Sequence, residues 1–193
     1  MVSESSKEHK SKSSTDIDVG IITLSDSIKS DDLDYSGEHI KNKVISRYNF
    51  KGKYLIPDEA TELKKSIESM ILDNIDVIIT TGGTGLDVRD ITVETVETLF
   101  EKKIEGFGET FRAESYKEIG SAALLSRATA GIYKKTIIFS MPGSLNAVKT
   151  GLNIIIDELP HFVHHVKKWG KHKIIFKKSR WHRLMDVILN LIL

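Results

Sequence analysis

The sequence lacks several residue types and patterns, and each absence excludes a class of protein. It contains no cysteine, which excludes disulfides, thiolate zinc sites and cysteine nucleophiles and suits a reducing compartment. No apolar run approaches the roughly 18–20 residues of a membrane-spanning helix, and residues 1–15 lack the apolar core of a secretory signal. The formal net charge is only +1, which argues against a domain built to bind nucleic acid. We therefore expect a cytoplasmic protein without a nucleic-acid or membrane partner.

The chain divides by composition into three parts. Residues 1–15 form a polar tail rich in Ser and Lys, which we expect to be flexible. Residues 16–168 are long enough for one domain with an adequate core. Residues 169–193 are basic and then amphipathic. We expect the apolar face of this extension to dock on the protein itself or on a neighbouring subunit, and the alternative is that the basic extension binds nucleic acid or an anionic membrane surface.

Short apolar segments alternate with segments of helical periodicity along the domain. Strands are predicted at residues 18–24, 53–57, 76–80 and 136–140, and helices at 37–48, after 58, between 92 and 127 with glycine interruptions, and at 145–156. The strand at 76–80 is apolar throughout, which indicates a central position covered on both faces. This alternation predicts an α/β fold in three layers, with a mainly parallel sheet between helices.

A glycine-rich loop, Thr80-Thr81-Gly82-Gly83-Thr84-Gly85, directly follows the third predicted strand. In an open parallel sheet, ligands bind beyond the carboxyl ends of the strands, where backbone amides are free. Glycines permit positive φ and a close approach of a ligand, and successive N–H groups form a concave nest for anions. The sequence therefore predicts a phosphate site here; the alternative is a tight connection in which the glycines serve only the turn.

Two aspartates accompany this loop. Asp90 lies just downstream, and Asp58 follows the second predicted strand, from which it could reach the same crevice if that strand adjoins the third. Carboxylates beside a phosphate site require a cation between them and the ligand, and magnesium prefers such oxygen ligands. The alternative is that each aspartate only caps the helix that follows it.

A second glycine turn, Ser140-Met141-Pro142-Gly143-Ser144, follows the last predicted strand. The amides of the turn and of the next helix could bind a phosphate or the edge of a base. The alternative is a plain strand-turn-helix junction in which Ser144 caps the helix.

A series of motifs in one order resembles a known family. These are Ser25-Asp26, Ile56-Pro57-Asp58-Glu59, Thr80 to Gly85, Asp90 with Thr92, Glu105-Gly106-Phe107-Gly108-Glu109, Ser126-Arg127 and Met141-Pro142-Gly143-Ser144. The series is similar to that of the MoaB/MogA-type molybdopterin-binding proteins, whose eukaryotic counterparts include the gephyrin G domain. The stretch from Glu105 to Ser144 looks closest to the MoaB branch, and the resemblance covers residues 18–166.

The resemblance implies a three-layer α/β fold, a homotrimer or hexamer, and contacts with other enzymes of cofactor synthesis. It also implies a reaction in which ATP and molybdopterin give adenylylated molybdopterin and pyrophosphate with magnesium, in molybdenum or tungsten cofactor biosynthesis. The alternative is a catalytically inactive protein that carries molybdopterin or acts as a scaffold.

Matched position by position, Asp58 and Asp90 correspond to the family's two functional aspartates, with roles in magnesium binding and in aligning the attacking phosphate. The positions that correspond to substrate-binding residues are Ser25, Asp26, Thr81, Gly82, Gly83, Thr84, Gly85, Glu109, Ser126, Ser140, Met141, Pro142, Gly143 and Ser144. Among them, the first glycine loop would hold phosphate or pterin groups, and Ser126 would donate to the pterin phosphate.

Three histidines, at positions 161, 164 and 165, also raise the question of a metal site. His161 and His165 share a helix face, but the sequence identifies no third ligand. We interpret them as solvated or interfacial residues of a helix.

Overall fold

The structure, a computed structural model, describes residues 16–28 and 30–169. The predicted tail at 1–15 and residues 170–193 of the predicted extension lie outside the described residues. The strands are β1 (Asp18–Leu24), β2 (Asn49–Ile56), β3 (Val77–Thr81), β4 (Lys102–Lys103), β5 (Thr129–Tyr133) and β6 (Thr136–Met141). The helices are α1 (Tyr35–Ile45), α2 (Ala60–Leu72), α3 (Thr92–Glu97), α4 (Glu105–Ile119) and α5 (Leu145–Ile155), and residues 159–169 are also helical.

These strands form one mainly parallel sheet in the order β2-β1-β3-β6-β5-β4. The pairings β2–β1, β1–β3 and β3–β6 are parallel, whereas β5 and β4 are added at one edge in antiparallel orientation. All five residues of β3 are buried, which confirms the prediction of a central strand covered on both faces. β1 has the predicted bounds.

Helices cover both faces of this sheet. Successive strand residues point to opposite faces, so Ile137 and Phe139 of β6 enter one hydrophobic cluster while Ile138 enters the other. The first cluster includes buried residues of α1, α4, α5 and the helical residues 159–169. The second includes buried residues of α2 and α3. The predicted three-layer α/β architecture is confirmed.

Two parts of the sheet were not predicted. The short strand β4 lies in the region predicted as interrupted helix, and β5 was not recognised because its sequence Thr-Ala-Gly-Ile-Tyr contains no extended β-branched run. The turn that joins β5 to β6 places Lys134 and Lys135 at φ 48° and 82°, a conformation for which Asn or Gly is the usual signal.

The other differences concern boundaries. β2 begins at Asn49 rather than at residue 53, and its register against β1 shifts between Val19 and Gly20. α1 begins at Tyr35, two residues before the predicted start, because Asp34 accepts the Gly37 amide and so caps the helix. Among the described residues, no helix combines the length and apolar composition needed to cross a bilayer.

Candidate functional site

Four strand ends meet at one edge of the sheet. Because β1, β2, β3 and β6 are parallel, the loops that follow them all leave the sheet at its carboxyl edge. These loops contain Ser25 and Asp26 after β1, Asp58 after β2, Gly82 after β3 and Pro142 after β6. The sheet therefore brings the predicted aspartate and glycine motifs to one place.

The first glycine loop has the backbone that the sequence predicted. Gly82 and Gly83 have φ of 98° and 60°, values that favour glycine. The Gly82 amide donates to the carbonyl of Met141 at 3.1 Å, and Thr92 donates through its Oγ1 to the carbonyl of Gly82 and through its amide to that of Gly83, both at 2.9 Å. These bonds fix the loop between the end of β6 and the start of α3.

The next three amides of this loop remain available to a ligand. Among the described residues, none accepts a hydrogen bond from the backbone N–H of Gly83, Thr84 or Gly85. Buried amides normally have partners, and successive unbonded N–H groups in a turn form a concave anion site. Thr84 is itself buried and Gly83 and Gly85 are half-buried, so an anion bound here would be partly shielded from water.

Asp58 lies directly against the loop. Its Oδ1 would be 2.9 Å from a Cβ added at Gly83, so only a glycine leaves this space. Its Oδ2 accepts the Asp26 amide at 3.0 Å, and the Asp58 amide donates to Asp26 Oδ1 at 3.1 Å. Asp58 was expected to reach this loop if β2 adjoined β3, and that condition was wrong, because β2 adjoins β1 and not β3. Asp58 nevertheless reaches the first glycine loop across the end of β1.

The environment of Asp58 disfavours its charged form. Its Oδ1 is buried and has no hydrogen-bond partner among the described residues. Burial raises the pKa of the Asp58 carboxyl, the amide of Asp26 opposes this, and the negative charges of Asp26 and Asp90 raise it further. A buried acceptor without a donor is rare in proteins, and it indicates an atom that a bound group would satisfy.

Asp90 lies on the other side of the loop. Its Oδ2 would be 2.6 Å from a Cβ at Gly85 and accepts the amide of Asp87 at 2.8 Å. The helix-cap interpretation was wrong for both aspartates, since the N-caps of α2 and α3 are Glu59 and Ile91, neither of which makes a side-chain cap bond. Both carboxylates instead border the glycines.

Two arginines that were not among the predicted site residues hold these loops together. Arg89 donates from Nε to Asp26 Oδ2 at 3.0 Å and from Nη1 to Glu59 Oε1 at 2.9 Å. Arg127 contacts the carbonyls of Thr84 and Asp90 at 3.3 and 3.1 Å and forms an ion pair with Glu94. In the sequence, Arg89 was marked only by the aspartates at positions 87 and 90, and Arg127 only by its place in the Ser126-Arg127 motif.

The second glycine turn is a helix junction with additional contacts. Ser144 accepts the Ala147 amide and caps α5, as expected for a strand-turn-helix junction, the alternative interpretation of this turn. Ser36 donates to the carbonyl of Gly143 at 2.7 Å, and a Cβ at Gly143 would lie 3.3 Å from the Gly82 Cα. The two glycine turns are therefore in contact.

Several predicted substrate-binding side chains point into the protein. Ser140 is fully buried and bonds to Thr80 Oγ1 at 2.8 Å, and Met141 is fully buried in the core. Thr81 is buried and donates to the carbonyl of Pro142 at 3.1 Å. Because inward-facing strand residues are used for packing, these three side chains support the turns and do not line the crevice. Ser25 accepts the amides of Ser27 and Ile28 at 3.2 and 3.1 Å and thereby shapes the loop after β1.

A cavity of about 490 Å³ opens beside Thr84 and Gly85. Apolar side chains of α4, of the 3-10 helix Gly120–Leu125 that follows it and of α5 line the cavity, including Phe111, Ile119 and Leu125. Its polar lining includes Ser126, Ser144, Glu118 and Thr150. Glu109, expected in the pocket, is exposed on α4 and does not line this cavity; Glu118 near the end of the same helix does.

This arrangement suits a ligand that carries both a phosphate and a flat ring. Ligand cavities typically have about 300–1,000 Å³ and mostly apolar walls with few polar groups. The unbonded amides can donate to an anion, and of the nearby carboxylates of Asp26, Asp58 and Asp90 it is Asp26 that pairs with Arg89. Among the described residues, no group of three or more His, Cys, Asp or Glu is placed to hold a metal ion. A cation here would need oxygen ligands from the bound phosphate as well.

Comparison with known proteins gives a consistent result. The family described as "Probable molybdopterin binding domain" matches residues 20–161. The molybdopterin adenylyltransferase of Pyrococcus furiosus is 41% identical over 167 residues, which cover 84% of this chain and 98% of that protein. Molybdenum cofactor biosynthesis protein B of Bacillus subtilis is 40% identical over 166 residues, 84% of this chain and 97% of that protein.

A solved structure has the same fold. The tungsten cofactor synthesizing protein MoaB from Pyrococcus furiosus superposes with a TM-score of 0.74 and is 42% identical, covering 78% of this chain and 97% of that chain. The family match at residues 20–161 contains the strands and helices that carry the four converging loops, except the first two residues of β1. On the family match and on these identities, the chain belongs to the family of the probable molybdopterin binding domain.

Proposed function

We propose that this protein is a molybdopterin adenylyltransferase of molybdenum or tungsten cofactor synthesis. In the proposed reaction, the terminal phosphate of molybdopterin attacks the α-phosphorus of ATP. A bond forms between a phosphate oxygen and that phosphorus, the bond to the oxygen that bridges the α- and β-phosphates breaks, and pyrophosphate leaves. Nucleophile and leaving group are already reactive, so the protein contributes alignment and charge stabilisation.

The observation that supports this proposal most is the contact of two carboxylates with the glycine loop. Asp58 Oδ1 is buried without a partner beside Gly83, and Asp90 Oδ2 lies beside Gly85. A loop that served only as a turn would not require two negative charges against its open amides. A transferase that joins two phosphorylated substrates requires both an anion site and a means of balancing charge.

Magnesium fits this donor set. Magnesium is commonly bound by one or two carboxylates together with substrate phosphates, and it retains water ligands. Asp58 and Asp90 would supply the protein oxygens, and Asp58 Oδ1 would thereby gain the partner that it lacks. The ion would neutralise charge on the phosphates during the transfer. Asp26 and Arg89 would keep Asp58 in place through the paired backbone bonds and the Arg89 ion pair.

The neighbouring cavity is suited to the ring of a substrate. Phe111, Ile119 and Leu125 offer apolar walls, and Ser126 and Glu118 offer polar groups for the edge of a pterin or adenine ring. Thr84 and Gly85 border both this cavity and the anion site, so a ring bound here would place its phosphate at the open amides. We assign binding to Gly82, Gly83, Thr84, Gly85, Ser126, Pro142, Gly143 and Ser144.

Relatives support the activity and suggest its setting. The protein from Pyrococcus furiosus is named a molybdopterin adenylyltransferase; on the family resemblance we also propose a homotrimer or hexamer in the cytoplasm. The domain would span residues 16–168, with a tail before it and an extension after it.

The test measures pyrophosphate release from ATP, molybdopterin and magnesium by the full chain. Asp58→Asn and Asp90→Asn retain an oxygen that can accept the amides of Asp26 and Asp87, so they remove charge with little change in geometry. Each is expected to lower kcat by about 100- to 1,000-fold, the range for loss of one group that stabilises transition-state charge. Asp87→Asn is the matched control, because this exposed carboxylate of the same loop does not border a glycine.

The outcomes separate two functions. Activity in the wild type and in Asp87→Asn, with loss in the other two variants, supports the transferase. Tight binding of molybdopterin by an inert wild type would contradict it and identify a carrier protein with the same anion site.

A further inference from the structure

A pair of histidines lies on the helical residues 159–169, outside the site described above. His161 and His165 are one helical turn apart, and their Nε2 atoms are hydrogen-bonded to each other at 3.0 Å, with one ring donating and the other accepting. Their ring centroids are 4.7 Å apart and the rings are nearly perpendicular. Both Nε2 atoms therefore lie close to one point beside the helix. His165 is exposed and His161 is about one-third exposed, so this point is accessible from solvent.

The distance between the two Nε2 atoms limits the coordination geometry of a metal ion that both could bind. Metal–imidazole bonds are about 2.0–2.1 Å long. Two nitrogens 3.0 Å apart and both at that distance from an ion subtend an angle of about 94° at it. Tetrahedral coordination would require about 3.3–3.4 Å. The observed distance therefore fits adjacent positions of a square-planar or octahedral ion, the geometries of Cu²⁺ and Ni²⁺.

A neighbouring carboxylate lies on the same side of the helix. Glu158 Oε2 is 3.7 Å from Nδ1 of His161, the ring nitrogen that does not face His165. A carboxylate at this position can help to orient the His161 ring, as outer carboxylates do around metal-binding histidines. His164 lies with its ring centroid 5.9 Å from that of His165, farther than the His161 ring.

We propose that His161 and His165 chelate a divalent transition-metal ion, with Cu²⁺ bound most tightly and water in the remaining positions. In the described part of the chain no third His, Cys, Asp or Glu completes a metal-binding group with them, so these two histidines are the ligands that the proposal names. The ion links two successive turns of a helix whose Leu159, Val163 and Val166 are buried in the core. A ligand that binds only the folded helix stabilises the fold.

The proposal is independent of the transferase reaction. The two nitrogens prefer a borderline ion over magnesium, which takes oxygen ligands. The two histidines lie on the helical residues 159–169, whereas the carboxylates of the first site follow β2 and β3. A failure of one proposal therefore leaves the other unaffected.

The experiment titrates the full chain, without an affinity tag, with Cu²⁺, Ni²⁺ and Mg²⁺, and it follows binding by calorimetry and by the electron paramagnetic resonance spectrum of Cu²⁺. No thiolate competes, because the chain has no cysteine. His161→Asn and His165→Asn are each expected to weaken Cu²⁺ binding by about 100-fold, since a chelate loses its second, intramolecular contact. His164→Asn is the matched control and should bind as the wild type does.

Thermal unfolding of the same proteins completes the test. Cu²⁺ should raise the Tm of the wild type and of His164→Asn, but not that of the other two variants, and all four should unfold at similar temperatures without metal. Wild-type affinity in both His161→Asn and His165→Asn would assign the ion to other histidines and overturn the proposal. Equal loss in all three variants would also overturn it.

Discussion

Substitution of Gly83 by alanine tests the contact between the glycine loop and Asp58. Gly83 has φ of 60°, and a Cβ there would lie 2.5 Å from Thr92 Oγ1 and 2.9 Å from Asp58 Oδ1. Contacts under 3.0 Å require a shift of one partner. The Thr92 hydroxyl also donates to the Gly82 carbonyl at 2.9 Å, so the added methyl group disturbs both sides of the loop.

The expected cost follows from these contacts. A non-glycine residue at this φ costs about 1–2 kcal/mol, and weakening of the Thr92 hydrogen bond costs about 1 kcal/mol more. A loss of about 2–3 kcal/mol leaves most domains folded, since their free energy of unfolding is about 5–15 kcal/mol. For a chain of this length the loss corresponds to a Tm lower by roughly 4–12 °C. A displacement of Asp58 by about 1 Å should reduce kcat by about 100-fold.

The control is Gly120→Ala. Gly120 also has φ of 60°, but a Cβ added there meets nothing within 4 Å, so this substitution carries a backbone cost without a clash. Thermal unfolding should show a lower Tm for both variants, while pyrophosphate release should fall only for Gly83→Ala. Full activity of a destabilised Gly83→Ala protein would refute the reasoning, because the carboxylate would then not depend on the space that the glycine leaves.

Two further predictions concern buried charges. Burial raises the pKa of Asp58 above its ordinary value of 3.8, so the folded protein binds this proton more tightly than the unfolded chain does, and the ionised carboxylate destabilises the fold at neutral pH. Asp58→Asn should therefore raise Tm at pH 7, and this gain should shrink as the pH falls through the raised pKa; a lower Tm at pH 7 would contradict the assigned cause. Lys53, whose side chain is 6% exposed, contacts Asp31, Asp34 and Glu38, each at 3.1 Å, so Lys53→Met should lower the free energy of unfolding by about 3–5 kcal/mol. The control Lys65→Met removes one exposed ion pair, with Glu62, and should change the free energy of unfolding by at most about 0.5 kcal/mol in denaturant titrations. Equal effects of the two substitutions would show that the buried ion pairs of Lys53 stabilise the fold no more than an exposed pair does.

The parts of the fold that the sequence predicted well are those that local pattern determines. β1 is a continuous buried run between polar segments, and its predicted bounds are those observed. The glycine loop was placed correctly at the carboxyl edge, because in a parallel sheet every strand end of that kind lies on the same side. The family resemblance then supplied the roles that we propose for Asp58 and Asp90, which composition alone left open between a ligand site and a helix cap.

The parts that could not be predicted depend on long-range pairing. β5 joins the sheet through hydrogen bonds to β6 across a turn at Lys134 and Lys135, and neither residue type signals such a turn. Arg89 is tied to the site by Asp26 and Glu59, which are 63 and 30 residues away in sequence. No local pattern in a single sequence reports which carboxylate an arginine will meet.

The order of the strands explains why the site needs Gly82 as well as Gly83. β1 lies between β2 and β3, so Asp58 can contact the first glycine loop only if that loop passes close over the end of β1. Gly82 allows this approach: a Cβ there would lie 2.2 Å from the carbonyl oxygen of Leu24, the last residue of β1. A backbone oxygen held in a sheet cannot move aside as a flexible side chain can. Gly82 therefore lets the loop pass over the end of β1. Gly83 leaves room for the carboxylate of Asp58, which follows β2 on the other side of β1.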